Sequence, residues 1–117
     1  MWVNKRKTLW SNRNGDTWQM PFCSKEGICC GTVVAQIVDP KQCLVRYFCV
    51  YSPRRKIRFL VPSSAIDSIN GAVRSSLQAN ILGKLPPYLS HVSRRLEQKI
   101  HQTLGQRPYW VLERDTF

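Results

Sequence analysis

The chain contains no C-x-x-C pair, no G-x-G-x-x-G fingerprint and no G-x-x-x-x-G-K-[ST] loop. The first absence removes the commonest zinc and thiol-redox spacings. The others remove the glycine-rich cradles for dinucleotides and nucleoside triphosphates. Acids are also scarce: 7 Asp and Glu stand against 18 Lys and Arg. With few carboxylates, a paired acid–base dyad has little to be built from. No apolar run approaches the roughly 18–20 residues of a membrane-spanning helix. The opening MWVNKRKTLW carries charge with no apolar stretch behind it, so no secretory leader is expected. The expectation is an intracellular, cytoplasmic protein without a membrane span.

What remains is a basic chain of 117 residues with a net charge of +11, a pI near 10.0 and 43% hydrophobic residues. That content supports one real core and argues against disorder. Length and composition predict a single basic α+β domain over 1–117, with residues 1–8 drawn as a flexible arm; alternatively Asn14-Gly15 closes a hairpin between a short strand near Thr8–Trp10 and one beginning at Asp16. The 5 cysteines are an odd number without a secretory signal, which argues against a disulfide framework and for small, mostly buried thiols.

Four stretches read as strands: 16–22, 28–38, 43–51 and 56–61. They are rich in β-branched and aromatic residues and are bounded by turn signals. Gly31 marks a bulge or a close backbone approach. In the last stretch Ile57, Phe59 and Val61 face one way, and Lys56, Arg58 and Leu60 the other. After Pro62 the pattern changes. Ser64-x-x-Asp67 resembles a capping box, and Val73, Leu77 and Ile81 recur as one stripe of a helix that Asn70-Gly71 interrupts or kinks. Pro86-Pro87 open a second helix with the stripe Tyr88 or Leu89, Val92, Leu96, Ile100 and Leu104, closed by Gly105. Residues 108–113 read as a returning strand. The expected architecture is α+β: a small bent antiparallel sheet or SH3-like barrel, then two helices and a C-terminal strand.

Chemistry-bearing groups are sparse. His91 and His101 fall on one predicted helix about 80° apart at about 100° per residue, which does not make a metal pair. Both are expected to be exposed polar positions. No cysteine has a sequence-adjacent histidine or a helix N-terminus to activate it. The expectation is therefore no enzyme, no cofactor and no metal. A small metal-independent nuclease using Arg, His and Tyr is the enzymatic alternative.

Phosphate binding is better supplied. The turn S-P-R-R-K-I-R-F places Arg54, Arg55, Lys56 and Arg58 within five residues. Lys5, Arg6 and Lys7 form a second basic group, and Arg94, Arg95 and Lys99 a third on the predicted helix. Tyr47, Tyr51, Trp18 and Trp110 could stack unpaired bases if exposed. The implied partner is nucleic acid or a ribonucleoprotein. The alternative is an acidic protein partner, with the chain acting as an inhibitor, either an immunity protein or a phage-type blocker of a nucleic-acid enzyme.

The stretch Gly15-Asp16-Thr17-Trp18-Gln19-Met20-Pro21-Phe22, followed by Gly27 through Gly31-Thr32-Val33-Val34, resembles the opening of the Imm26-type immunity proteins. These proteins neutralise toxins of bacterial competition systems. The resemblance covers the first third of the chain, through Val38. It implies an inhibitor without catalysis whose cationic surface docks on an acidic toxin. It assigns no individual functional residue.

Overall fold

The computed structural model describes residues 3–5, 17–39, 44–89 and 91–105. Seven strands carry it: β1 (Val3–Lys5), β2 (Pro21–Cys23), β3 (Cys29–Asp39), β4 (Leu44–Ser52), β5 (Ile57–Pro62), β6 (Ile66–Ile69) and β7 (Val73–Ser75). Two helices follow, α1 (Ala79–Leu82) and α2 (Arg94–Leu104). The strands form one sheet in the order β5-β4-β3-β2-β7-β6, with β1 paired to the far end of β3. All pairs are antiparallel except β2 with β7. Among the described strands the sheet stays open, with β5 at one end and β6 at the other. The mixed α+β class is as expected.

The long β3 arises where the β-branched run Thr32–Val38 leaves little alternative to extended chain. Two register shifts against β4 bend it. The β3–β4–β5 register sets the two faces of the sheet. Ile37, Tyr47 and Pro62 lie in one row of the front face, and Thr32, Tyr51 and Arg58 in another. Val33, Val50 and Phe59 line the back, as do Gln36, Phe48 and Val61. All of these rows except Thr32–Tyr51–Arg58 are buried, so the central strands are covered on both sides over most of their length.

Beyond Pro62 the structure departs from the sequence expectation. Ser63–Ala65 is one 3-10 turn with no side-chain cap, and Asp67 lies exposed in β6 rather than in a capping box. Asn70-Gly71 interrupts no helix. It turns β6 into β7, with Gly71 at φ 72 and Asn70 N–H donating to the Ala72 carbonyl at 3.0 Å. The predicted helix through Val73 is a strand, and only Ala79–Leu82 coils. The second helix begins at Arg94, not at the prolines. Ser93 caps it, its Oγ accepting from Leu96 N–H at 3.1 Å, and Gly105 ends it in the left-handed region. Pro86-Pro87 instead run along the free edge of β5. Phe59 and Pro87 form a bridge, and Tyr88 N–H donates to the Arg58 carbonyl at 2.8 Å. We call residues 85–89 the strap.

The strand expected at 108–113 and the hairpin expected at Asn14-Gly15 lie outside the described residues. Val3–Lys5, within the stretch drawn as an arm, pair with Val38–Gln36. No helix of the described residues is long and apolar enough to cross a membrane.

Candidate functional site

The hairpin between β4 and β5 is where the sequence concentrates its cations. Ser52 builds the turn: its carbonyl accepts from Lys56 N–H at 2.8 Å and its Oγ from Arg55 N–H at 3.2 Å. Closing this four-residue turn puts Lys56 at φ 58, a left-handed conformation that costs a non-glycine residue about 1 kcal/mol.

The four basic side chains divide into two pairs. Arg55 Nη2 donates to the Leu85 carbonyl at 2.9 Å, and its guanidinium lies 6.0 Å from the Phe59 ring centre. Arg58 Nη2 donates to the Leu89 carbonyl, with its guanidinium 5.5 Å over Tyr88. Both hold the strap against β5. Arg54 and Lys56 are exposed, and among the described residues neither side chain has a partner. The basic hairpin is thus half clamp and half free charge, a division that four consecutive-looking cations do not reveal.

This division is testable. Arg55→Ala and Arg58→Ala each remove a charged hydrogen bond and a cation–π contact, and each is expected to lower stability by about 1–2 kcal/mol. Arg54→Ala with Lys56→Ala should leave the urea midpoint within about 0.5 kcal/mol of wild type. Equal losses from both pairs would contradict the clamp.

On α2, Arg95 and Lys99 lie exposed one turn apart, and Arg94 approaches the Glu97 carboxylate at 3.9 Å. The helix sits on the front face, the face that carries Arg58. It is docked there by a buried polar cluster: Tyr47 donates its hydroxyl hydrogen to Glu97 Oε1 at 2.8 Å, and His101 Nε2 lies 3.2 Å from the same hydroxyl. Tyr47 and Glu97 are 1% exposed and His101 5%. His101 is thereby corrected from an exposed position to a core one, while His91 is exposed as expected. Burial pushes the His101 pKa down. Tyr47 is removed as a stacking candidate by the same burial. Tyr51 is 39% exposed and Trp18 half-buried, and Trp110 lies outside the described residues. For the second basic group, Lys5 contributes backbone to β1, and Arg6 and Lys7 lie outside the described residues.

At the other end of β3 the back face opens into a pocket of about 480 Å³. Its walls include Ile28, Ser52, Arg54, Arg55 and Phe59, and α1 closes it with Ala79 and Leu82. Three cysteines lie near its rim. Cys29 and Cys30 share a bulge opposite Cys23. Burial raises the Cys30 thiol, and it pushes Cys49, deep in β4, up to about 11 against the opposing pull of Arg58. Neither is poised as a nucleophile at neutral pH. Only Cys49 of the described cysteines is fully buried, so the expected set of buried thiols is reduced to one. A brief iodoacetamide pulse at pH 8 followed by peptide mapping should label exposed Cys29 at least about tenfold more than Cys49, and denaturant should erase the difference. No group of His, Cys, Asp and Glu able to hold a metal occurs among the described residues.

No protein-family model matches the chain, and no curated protein matches it.

The acids complete the electrostatic picture. Asp39 meets Arg46 at 3.6 Å, and Glu97 is buried under α2. Glu26 accepts from Ala79 N–H at 3.1 Å; hydrogen bonds, foremost from the Ser24 hydroxyl, hold its pKa below the usual carboxylate value. Among the described residues only Glu26 and Asp67 are exposed acids. Lys25, Arg54, Lys56, Arg58, Arg74, Lys84, Arg94, Arg95 and Lys99 are exposed cations.

Proposed function

We propose that this protein is a non-enzymatic basic module that binds nucleic acid through phosphate contacts. One observation carries the reading: the exposed cations greatly outnumber the exposed acids, and most described acids are spent on internal contacts. Such a surface attracts a polyanion over several ångströms and gains affinity by releasing its counterions. Arg54 and Lys56 at the hairpin tip are the leading contacts, with Arg95 and Lys99 on α2 in support. Arg55 and Arg58 serve the fold that presents them. Free thiols in a chain this rich in cysteine suit a reducing, intracellular setting. We read the bulged β3–β4–β5 meander as the SH3-like half of the module.

Fluorescence anisotropy with labelled single-stranded RNA and DNA, measured between 50 and 200 mM salt, tests this. Affinity should fall steeply and log-linearly with salt, and Arg54→Ala with Lys56→Ala should flatten the slope by about 1.5. Absence of binding to either polymer at low salt overturns the reading. Copurification of one acidic protein in its place would favour the inhibitor.

A further inference from the structure

The pocket beside the hairpin tip has a chemistry of its own. Its deeper walls are apolar, formed by Phe59, Leu82 and Ala79, and the side chain of Ile28 is left 54% exposed at the rim. Apolar residues held open to solvent in a concave site mark a place where a ligand is covered. The charged residues of the wall are Arg54 and Arg55, and no acid lines it. Arg55 Nη1 is buried with no hydrogen-bond acceptor among the described residues. A buried charged donor without an acceptor is costly, and an anionic group arriving in the pocket would offset that cost. The site therefore suits a body that is largely apolar and carries one anionic group. Burial raises the Cys30 thiol in its wall, which disfavours covalent chemistry there.

We infer that this pocket takes one unpaired nucleotide of a single strand, its base against the Phe59–Leu82 side and its phosphate between Arg54 and the unpartnered Nη1 of Arg55. The inference rests on the nucleic-acid reading and narrows it. The volume accommodates one nucleoside and not a base pair with both of its backbones, so duplex is excluded by shape. Exposed Arg54 lines the pocket and exposed Lys56 follows two residues on in the same turn, where a backbone would run while one base turns inward. A base gains from leaving water only where the receiving wall is apolar, and this wall is.

The full chain is titrated into a single-stranded oligonucleotide carrying one 2-aminopurine, and into the same strand annealed to its complement. The single strand should bind at least tenfold more tightly at matched salt, with a saturable change in 2-aminopurine emission. Ala79→Trp fills the pocket without altering charge. It should lower single-strand affinity at least tenfold, remove the emission change and leave the salt slope intact. Ile28→Ser, at an exposed position, removes an apolar wall residue without altering charge; it should weaken single-strand binding and reduce the emission change, and keeps the inference testable if the tryptophan variant fails to fold. Equal affinity for duplex and single strand overturns the inference, as does a folded Ala79→Trp that binds like wild type. In both cases the phosphate-binding reading stands. A free nucleoside monophosphate that competes as well as the oligonucleotide also overturns it, making this a free-nucleotide site. Binding to no nucleic acid at all removes both readings together.

Discussion

Gly31→Ala is expected to be the most damaging single-methyl change in this protein, costing at least about 3 kcal/mol. A Cβ at residue 31 would stand 2.2 Å from the Tyr51 carbonyl oxygen, 2.9 Å from Val50 Cγ1 and 3.0 Å from the Tyr51 carbonyl carbon. Two of these three atoms are backbone, so no rotamer change relieves the contact. β3 and β4 would have to separate by about 1 Å, shifting Val50 and Val33, which are fully buried between the covered faces of the sheet. The matched control is Gly83→Ala. There the nearest atom to the new Cβ is the Ala79 carbonyl oxygen at 3.5 Å, and the backbone has an ordinary φ of −67. That change should stay within about 0.5 kcal/mol of wild type. Urea unfolding of the two variants reads the difference directly. A Gly31→Ala protein that unfolds like wild type would mean that β3 and β4 do not approach as closely as described.

The second large effect concerns the polar cluster beneath α2. Glu97→Ala removes a buried acceptor from the Tyr47 hydroxyl and opens a cavity, and is expected to destabilise the protein by about 3–4 kcal/mol. Tyr47→Phe, which deletes only the shared hydroxyl, should cost about 2 kcal/mol. The double variant should lose clearly less than the sum, because both changes break the same bond. Additive losses would show that the two side chains are not coupled. Acid should reveal the third member. His101 in the folded protein titrates below its ordinary 6.5 because burial disfavours the imidazolium. The unfolded chain takes up that proton first, so the His101 contribution is intact above about pH 6.5 and is lost as pH falls below it, down to the folded value. His101→Gln should flatten the stability–pH profile in this window. An unchanged slope would place the acid sensitivity elsewhere.

The two long strands of the first half were legible because their residues admit few alternatives, whereas the stretch expected at 16–22 is strand only at Pro21–Cys23 and turns at Trp18-Gln19. Thr32–Val38 and Val45–Tyr51 are dense in β-branched and aromatic side chains, and their ends are set by Asp39-Pro40 and Ser52-Pro53. The error after Pro62 has a specific origin. Val73 and Leu77, four residues apart, share one face of a helix, but four is also twice two, so they share one face of an extended chain as well. The spacing could not choose, and pairing with Phe22 of β2 did. Pro86-Pro87 carried a similar ambiguity: proline suits the first turn of a helix and equally a sheet edge that needs no donor. Of the candidate cations, the sequence could not separate Arg55 and Arg58 from Arg54 and Lys56, because their carbonyl acceptors come from the strap about 30 residues away, as the sequence separations of 30 and 31 show. The buried cluster was hidden for a plainer reason. Glu97 and His101 belong to residue types that usually face water, and only the docking of α2 on Tyr47 reverses that.

The strap also bears on how the protein behaves at high concentration. A bare outer strand offers a ladder of donors and acceptors on which a second molecule can continue the sheet, and this is a common route to aggregation. Residues 85–89 occupy that ladder on β5, and Pro86-Pro87 present no N–H to anything beyond them. At the opposite border, exposed Asp67 and Ser68 in β6 make a short, hydrophilic end. By fastening the strap, Arg55 and Arg58 keep one molecule's sheet from becoming the template for the next.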